Sequence, residues 1–488
     1  MKKYNIGIDM GTSSVKLILI DQRGNLINQS SVEYEVDQPG EGWKEIHPDV
    51  WFQATKTGLK TLLANVDSSL VEGIGITGQM HTVVCLDEEG NSVRPALMWN
   101  DVRTRDLIDG LKAKIEKMPS ISHISHIIST GSPAANLFWI KEREPANFSR
   151  IRHFLIGPDY LVYRLTGTIG TDYCEASTSS LYDLERDEWS EEIRNLIGLS
   201  PSIYPAIRGS GEIAGTVKPE LREEFGFTEK TKVIVGTGDN PAAALSTGCL
   251  TQKYPVLSLG TSGVLMIPRK KADFSRKGKN IKFSIEGKEI MTLVQGVAQS
   301  AGSSIDWWMK KILNVENLGE EMKQVKIGES SSLMFYPHLT GDKTIYGDPY
   351  LRGAFLGLGT ETKREEMIGA VLEGICFAVK EIMDEMRIEE PVLSLKVTGG
   401  GAKNAMWMQM MADILEVSIE QLDGNTGAGL GIALLAGQSC GNIENLDQVS
   451  DSILSIKQVF VPNQEKILFY KEKYKKYRKI YRAIKEID

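Results

Sequence analysis

A pattern of two apolar runs joined by a short polar corner occurs twice in the chain. The first copy spans Asn5–Ile20 and the second spans Pro255–Ile267, and both have Gly-Thr-Ser at the corner. Apolar runs that flank a tight corner are typical of a β-hairpin. We expect both corners to require glycine's access to positive φ, at Gly11 and at Gly260. Two such hairpins, about half a chain apart, predict two similar domains that face each other.

Helical spacing of apolar residues follows the first hairpin. It extends over Pro48–Val66, and Val71–Met80 then has the composition of a buried strand. Strand, helix and strand in this order indicate an α/β layer. Near the end of the chain the aromatic positions again have helical spacing, which predicts an amphipathic helix with a docked aromatic face and exposed lysines. Its apolar positions are Tyr470, Tyr474, Tyr477, Tyr481 and Ile484.

The two Gly-Thr-Ser corners also indicate a binding function. A tight corner directs successive backbone N–H groups and two hydroxyls toward one point, which suits phosphate oxygens. The alternative is that Gly-Thr-Ser only ends the strands of a hairpin, and a single copy would favour that interpretation. Two copies favour a nucleotide site. Its residues would be Gly11, Thr12, Ser13, Gly260, Thr261 and Ser262.

Asp9 stands in the first hairpin where an apolar strand residue is expected, and Leu259 has the equivalent place in the second. A carboxylate beside a phosphate site is unfavourable unless a cation lies between them, and Mg²⁺ commonly bridges carboxylates and phosphates. We therefore predict that Asp9 binds Mg²⁺ directly or through water.

Polar side chains follow the strand that ends at Met80. His81 is either a hydrogen-bonded core residue or a ligand contact at the carboxyl edge of the sheet, and its spacing favours neither. Trp99-Asn100-Asp101-Val102-Arg103 combines an aromatic ring, an amide and two charges. This mixture suits a polyol, although Trp99 is equally compatible with a core position.

Asp239 follows a β-rich run and two glycines, and a helix of small residues begins after it. An aspartate in this place is most often a helix N-cap. The glycines Gly236 and Gly238 also leave room for a ligand against the backbone. We expect Asp239 to act as a general base that accepts the proton of an attacking alcohol.

Glycines recur after a second strand-like run, at Gly399, Gly400 and Gly401, and Asn404 follows them. Three glycines permit close approach of a flat ring or a sugar, which is a weak signal alone. The segment Gly427–Ala433 has the small residues of a close-packed helix near the same site.

Composition narrows the class of protein. The chain has 488 residues, of which 41% are hydrophobic and 25% charged, enough for at least two cores. No apolar run approaches the length of a membrane span, and the start of the chain leads into a strand, so we expect a cytoplasmic protein. The net charge of −8 argues against nucleic acid as a main partner. A homodimer through an exposed sheet or helix is compatible with the sequence, which does not decide it.

Taken together, these stretches resemble the FGGY carbohydrate kinases of the actin-like ATPase superfamily along nearly the whole chain. The resemblance rests on Gly78–His81, Trp99–Asp101, Gly238–Asn240, Leu257–Gly263, Gly399–Ala402, and Gly353–Leu358 followed by Glu366–Glu373. It implies an α/β fold of two actin-like (ribonuclease H-like) ATPase domains that face a central cleft. Residues 1–243 would bind the sugar and hold the catalytic aspartate, and residues 244–488 would bind ATP.

The resemblance also implies an activity, which is ATP-dependent phosphorylation of a terminal hydroxyl of a small ketose, D-xylulose in the first place. Asp239 and Asp9 would be the catalytic residues, and both would associate with Mg²⁺. Met80, His81, Trp99, Asp239 and Asn240 would hold the sugar. Gly260, Thr261, Gly400, Gly401 and Asn404 would contact ATP.

The sequence departs from the family pattern at two single positions and in one loop. Asn136 replaces the usual lysine of the first signature, Thr82 replaces a common glycine beside the sugar site, and Asp342-Lys343 changes a Gly-Glu-Arg-Thr-Pro loop. These departures would leave phosphoryl transfer intact and bear on which sugar is bound. The alternatives are a kinase for ribulose, another ketose, a sugar alcohol, gluconate or glycerol, an actin-like or chaperone-like nucleotide switch, and a silent sugar sensor.

Overall fold

The computed structural model describes residues 2–249, 252–285, 290–315, 321–322, 325, 332–423, 427–444, 446, 449 and 453–487. By its internal contacts the chain forms two compact units. The first comprises Met1–Ser246, Ile281–Met291 and Gly427–Ile453, and the second comprises Thr247–Asn280, Thr292–Thr426 and Leu454–Asp488.

The strands of both units differ in length, from two residues in β4 to nine in β19. In chain order, the strands of the described residues are β1 (Tyr4–Met10), β2 (Ser14–Asp21), β3 (Leu26–Glu33), β4 (Glu45–Ile46), β5 (Val71–Gly78), β6 (Val83–Leu86), β7 (Ala96–Leu97), β8 (His153–Ile156), β9 (Thr171–Asp172), β10 (Tyr182–Asp183), β11 (Glu188–Trp189), β12 (Ile207–Arg208), β13 (Ile213–Thr216), β14 (Lys232–Ile234), β15 (Thr237–Gly238), β16 (Val256–Leu259), β17 (Gly263–Arg269), β18 (Lys279–Ser284), β19 (Ile290–Ala298), β20 (Met334–Tyr336), β21 (Ala354–Leu356), β22 (Ser394–Thr398), β23 (Ser418–Asp423) and β24 (Ser455–Phe460).

Helices connect many of these strands. The α-helices of the described residues are α1 (Pro48–Leu63), α2 (Arg105–Glu116), α3 (Pro133–Arg143), α4 (Pro145–Arg150), α5 (Gly157–Thr166), α6 (Tyr173–Thr178), α7 (Glu191–Ile197), α8 (Pro219–Phe225), α9 (Asp239–Ser246), α10 (Gly302–Asp306), α11 (Arg364–Met386), α12 (Ala405–Leu415), α13 (Ala428–Ser439), α14 (Gln464–Tyr477) and α15 (Ile480–Lys485). Short segments of other helix types occur at Ser68–Leu70, Ser122–Ile127, Trp307–Ile312 and Gly400–Lys403.

The main sheets of the two units share one topology. In the first unit the strand order is β3-β2-β1-β5-β14-β13, and in the second it is β19-β17-β16-β22-β23-β24. In both orders the pairs are antiparallel, antiparallel, parallel, parallel and antiparallel. The predicted internal repeat of two similar α/β units is therefore confirmed.

Both predicted hairpins are present, as β1-β2 and β16-β17, but the expected role of their glycines was wrong. Neither Gly11 nor Gly260 has a positive φ. Each corner closes instead through a hydrogen bond that the glycine N–H donates, to the carbonyl of Ser14 and of Ser262 respectively, at 3.0 Å. A Cβ at Gly11 would lie 3.2 Å from the Ser14 oxygen, so close packing is the constraint there.

Helix α13 packs on the first sheet at very short range. A Cβ on Gly7 of β1 would lie 2.0 Å from the carbonyl oxygen of Gly429, and one on Gly75 of β5 would lie 2.4 Å from that of Ile432. Bare glycine positions thus let the helix backbone approach the strands. Because of this packing α13 belongs to the first unit, although it follows most of the second in sequence. The division of the chain into residues 1–243 and 244–488 stays a prediction.

The aromatic end of the chain docks on the second unit as expected, in two helices rather than one. Tyr470 and Tyr477 of α14 are buried, and the Tyr481 ring of α15 stacks on Tyr346 with centroids 3.7 Å apart. Within the described residues, none of the helices combines the length and the apolar character that crossing a membrane requires.

Gly7→Ala tests the close approach of α13. The added methyl group has no space beside the Gly429 carbonyl, so the helix must shift, and we expect the free energy of unfolding to fall by about 3 kcal/mol. Urea denaturation followed by circular dichroism measures this change.

Gly110→Ala is the matched control, because nothing lies within 4 Å of a Cβ at this position of α2. Removing a glycine from a helix interior should raise the free energy of unfolding by about 0.5–1 kcal/mol. Equal stability of wild type and Gly7→Ala would contradict the described packing.

Candidate active site

The carboxyl ends of three neighbouring strands meet at one edge of the first sheet. Strands β1 and β15 both run parallel to β5, and Met10 and Gly238 are both in register with Gly78. The chain therefore leaves the sheet at this edge three times. It continues as the Gly11–Ser13 corner, as Gln79-Met80-His81 and as Asp239-Asn240. This is the edge at which α/β proteins bind ligands.

Met80 and Asn240 contact each other across this edge. The Asn240 Nδ2 group lies 3.6 Å from the Met80 sulfur, within its weak acceptor range. Gly238 explains the proximity, because a Cβ there would lie 2.6 Å from Met80 Cγ and 3.0 Å from Cys174 Sγ. The glycine before Asp239 thus makes room for Met80.

His81 has an unusual backbone conformation. Its φ is 68°, in the left-handed region that side chains rarely adopt, and the residue is half-buried. Such conformations persist where the surrounding structure enforces them, and they cluster at functional sites. The backbone N–H of His81 interacts with the carboxyl of Glu175 on α6, which ties the turn to the helix behind it.

Asp239 is the first residue of α9, so its carboxylate lies in the first helical turn. A helix N-terminus favours a negative charge. The negative charge of Asp239 contributes to the raised pKa of Glu175, so the carboxyls of Asp239 and Glu175 interact electrostatically.

A cluster of buried carboxyls lies behind these residues. Asp159, Asp172 and Glu175 are each at most 4% exposed. Burial raises the pKa of Glu175 well above its usual range, and negative charge on Asp159, Asp172 and Asp239 raises it further. Burial raises the pKa of Asp159 and Asp172 as well. Since Asp172 caps α6 and accepts a 2.8 Å hydrogen bond from Ser210, it has partners that favour its charged form.

Asp9 lies on the face of β1 that α13 covers. Its Cβ is 3.8 Å from the position that a Cβ on Gly429 would take, in the first turn of α13. Burial raises the pKa of the Asp9 carboxyl, and Lys16, its partner on β2, lowers that pKa in part. Asp9 is thus a carboxylate held partly out of water beside a helix N-terminus.

The first corner is fixed by two side chains. The Tyr34 hydroxyl donates to the Gly11 carbonyl, and the Trp99 indole Nε1 donates to Thr12 Oγ1 at 3.2 Å. Thr12 is half-buried and Ser13 is exposed. The Gly11 carbonyl and the Thr12 hydroxyl of this corner are therefore held by neighbouring side chains.

Trp99 is not a core residue, since it is 45% exposed. The charged residues Asp101 and Arg103, which follow Trp99, interact with groups inside the protein. Asp101 is fully buried and accepts from Arg103 Nε at 2.9 Å and from the Lys44 backbone at 2.6 Å. The expectation that the whole Trp99–Arg103 stretch suits a polyol was wrong for Asp101 and Arg103, because these two charges neutralise each other inside the protein.

The second unit has a corresponding edge. Strands β16 and β22 are parallel, with Ser258 in register with Thr398, and Gly260-Thr261-Ser262 and Gly399-Gly400-Gly401 follow them. Gly399 has a φ of 96°, and a Cβ there would lie 2.7 Å from the Leu259 oxygen, whereas nothing lies within 4 Å of a Cβ at Gly400. Asn404 caps α12 by accepting a 3.0 Å hydrogen bond from the Trp407 backbone.

The departures from the family pattern have structural roles in this chain. Thr82 is fully buried, and its hydroxyl accepts the Trp99 backbone N–H at 3.2 Å. Buried Asn136 donates to the Gly131 carbonyl at 3.4 Å. Asp342 is buried in the second unit, where it accepts the backbone N–H groups of Ile345 and Tyr346 at 2.8 Å.

The first unit therefore brings together Asp9, the Gly11–Ser13 corner, Met80-His81, Trp99 and Asp239-Asn240. Sequence reasoning missed Asp159 and Glu175. The spacing of Asp172 and Glu175, three residues apart in a small-residue segment, was the available signal. Nothing local in the sequence shows that Asp159 joins them.

The comparisons with known proteins agree with this arrangement. Residues 4–246 match the model of the N-terminal domain of the FGGY family of carbohydrate kinases, and residues 256–440 match that of the C-terminal domain. The chain belongs to the FGGY family of carbohydrate kinases. As a member, it is a phosphotransferase that uses ATP and acts on a sugar hydroxyl. The predicted family is thereby confirmed.

Relatives of this carbohydrate kinase match it from end to end. The xylulose kinase of Bacillus subtilis is 33% identical over 496 residues, which cover 100% of this chain and 98% of the relative. That of Lactococcus lactis is 34% identical over 500 residues, covering 99% and 98%. The crystal structure of a xylulose kinase from Brucella ovis has a TM-score of 0.88 and 30% identity, covering 99% of this chain and 100% of that one. The nucleotide switch and the sugar sensor are not favoured.

Glu175→Gln tests the buried carboxyl cluster. In the folded kinase the pKa of Glu175 lies well above its usual 4.5. The folded state therefore keeps a proton that the unfolded state releases. For this reason the free energy of unfolding of the wild type falls as the pH rises above 4.5, the usual pKa of a glutamate. Glutamine has no such proton. We expect the variant's free energy of unfolding, relative to wild type, to increase from about pH 5 to pH 8 in urea denaturation.

Glu192→Gln is the control, because Arg186 lowers the pKa of Glu192. The free energy of unfolding of Glu192→Gln, relative to wild type, should not increase as the pH rises from about 5 to 8. A difference between Glu175→Gln and wild type that does not change with pH would mean that Glu175 is ionised in the folded kinase.

Proposed function

We propose that this kinase transfers the γ-phosphoryl group of ATP to a terminal hydroxyl of D-xylulose and forms D-xylulose 5-phosphate. The observation that carries the proposal is the full-length match, at 33–34% identity, to two xylulose kinases. Family membership alone would leave the sugar open, because substrate choice depends on a few residues of the site.

The sugar would bind at the strand edge of the first unit. Met80, His81, Trp99 and Asn240 would surround it, with Asp239 at the reacting hydroxyl. Three of these side chains are fixed in advance, since Met80 and Asn240 contact each other and Trp99 is hydrogen-bonded at two points. Such order reduces the entropy lost when the sugar is positioned for attack.

Asp239 would act as the general base. The N-terminal turn of α9 favours a negative charge at Asp239, and burial raises the pKa of the neighbouring Glu175 well above its usual range, which favours the neutral form of that carboxyl. Asp239 is then positioned to accept the proton of the sugar hydroxyl as the oxygen attacks phosphorus.

ATP would contact backbone and hydroxyl groups in each unit. In the first unit these are Gly11, Thr12 and Ser13. In the second unit they are Gly260, Thr261, Ser262, Gly400, Gly401 and Asn404. The open space beside Gly400 suits a flat ring. Because Asn404 Oδ1 caps α12, its contact with ATP would come from the amide nitrogen.

Mg²⁺ fits the donors that the first unit offers. Mg²⁺ usually takes one or two carboxylates and completes its shell with water and phosphate oxygens. Asp9 would hold the ion, with Asp239 as a second carboxylate, and bound Mg²⁺ would neutralise charge on the phosphates. A cytoplasmic location, a homodimer and the absence of a nucleic-acid partner stay predictions.

A sugar panel tests the substrate. Purified kinase is given Mg-ATP with no sugar, D-xylulose, D-ribulose, L-ribulose, glycerol or gluconate, and ADP release is measured. We expect kcat/KM to be highest with D-xylulose, by at least about tenfold. A higher kcat/KM with another compound would show that this compound, and not D-xylulose, is the preferred substrate. ADP release that none of the compounds raises would contradict the proposal as a whole.

Asp239→Asn tests the general base. The amide keeps the size of the side chain but accepts no proton, so we expect kcat with D-xylulose to fall by about a hundredfold to ten-thousandfold, while the Kd for ATP stays nearly unchanged. Exposed Asp106→Asn on α2 is the control and should retain full activity. An Asp239→Asn variant with wild-type kcat would remove Asp239 from this role.

A further inference from the structure

Trp99 is an exposed side chain whose backbone is held on both sides. Its N–H donates to the buried Thr82 hydroxyl at 3.2 Å. Its carbonyl oxygen faces Gly131, where a Cβ would lie 1.9 Å away and φ is 76°. Asn136 in turn donates to the Gly131 carbonyl at 3.4 Å. The backbone position of Trp99 is therefore set by its surroundings, to which both Thr82 and Asn136 contribute.

The ring of Trp99 contacts the Gly11–Ser13 corner. Its Nε1–H donates to Thr12 Oγ1 at 3.2 Å. An indole nitrogen is a donor only, whereas a hydroxyl both donates and accepts. The Thr12 oxygen must then be the acceptor, and the Thr12 proton points away from the ring. The bond thus excludes the orientations in which the Thr12 proton points at the ring, and it leaves the proton free to be donated to a ligand.

We infer that the indole N–H of Trp99 is a positioning group that fixes the Thr12 hydroxyl as a donor to an oxygen of the transferring phosphoryl group. The inference rests on the proposed function. Trp99 would then have two roles, a contact with the sugar and the positioning of the Thr12 hydroxyl. A donor ordered in advance costs no reorganisation when charge develops on the phosphoryl oxygens.

A double-mutant cycle tests this role. Trp99→Phe keeps an aromatic ring and removes the N–H, and Thr12→Val keeps the shape of the side chain and removes the hydroxyl. We expect Trp99→Phe to lower kcat with D-xylulose by about fivefold to tenfold in the wild-type background. In the Thr12→Val background the same change should alter kcat by less than about twofold, because the group through which it acts is gone.

Two further measurements separate positioning from other effects. Thr12→Ser keeps the hydroxyl and should retain kcat within about threefold of wild type. The contribution of Trp99 to sugar binding should appear as an equal rise in KM for D-xylulose in both backgrounds. Urea denaturation of each variant confirms that it is folded.

Three results would overturn the inference. They are an unchanged kcat in Trp99→Phe, effects of Trp99→Phe and Thr12→Val on kcat that multiply in the double variant, and a Thr12→Ser variant as slow as Thr12→Val. These three results concern the variants and do not depend on which sugar the wild type phosphorylates. Failure of the proposed function would show separately, as wild-type ADP release that D-xylulose does not raise.

Discussion

The parallel pairing of β1, β5 and β15 is the constraint on which the candidate site depends. Because Met10, Gly78 and Gly238 share one register, the three chain segments that follow them must leave the sheet at the same edge. Residues far apart in sequence thus become neighbours without any long loop to order. The glycines of β1 and β5 contribute by admitting α13, whose first turn lies beside Asp9.

Electrostatics divides the carboxyls of this edge into two groups. Asp159 and Glu175 are buried, and their raised pKa values favour the neutral form, which avoids the cost of an unpaired buried charge. Asp9 and Asp239 lie at the helix N-termini of α13 and α9, where a negative charge is favoured. Burial raises the pKa of Asp9 as well, so the N-terminus of α13, Lys16 and the metal ion that we assign to Asp9 would be needed to favour its charged form.

Much of this was accessible from the sequence, because it depends on local periodicity and on residue types at strand ends. The hairpins, the strand before Met80, the α/β layers and the placement of Asp239 at the start of a helix follow from such patterns. The other features depend on contacts distant in sequence. The bond between Asp101 and the Lys44 backbone, the proximity of Asp159 to Glu175 and the support of Trp99 by Thr82 and Gly131 arise only when the chain folds. The φ of Gly11 was mistaken because close packing, rather than a left-handed turn, selects glycine there.

A crystal structure of the kinase with D-xylulose, Mg²⁺ and a nonhydrolysable ATP analogue tests the central claim most directly. We predict a terminal sugar hydroxyl at about 2.6–3.2 Å from a carboxylate oxygen of Asp239, with Met80, His81, Trp99 and Asn240 around the sugar. A sugar that binds away from the edge formed by β1, β5 and β15, or whose terminal hydroxyl faces a group other than Asp239, would contradict the account.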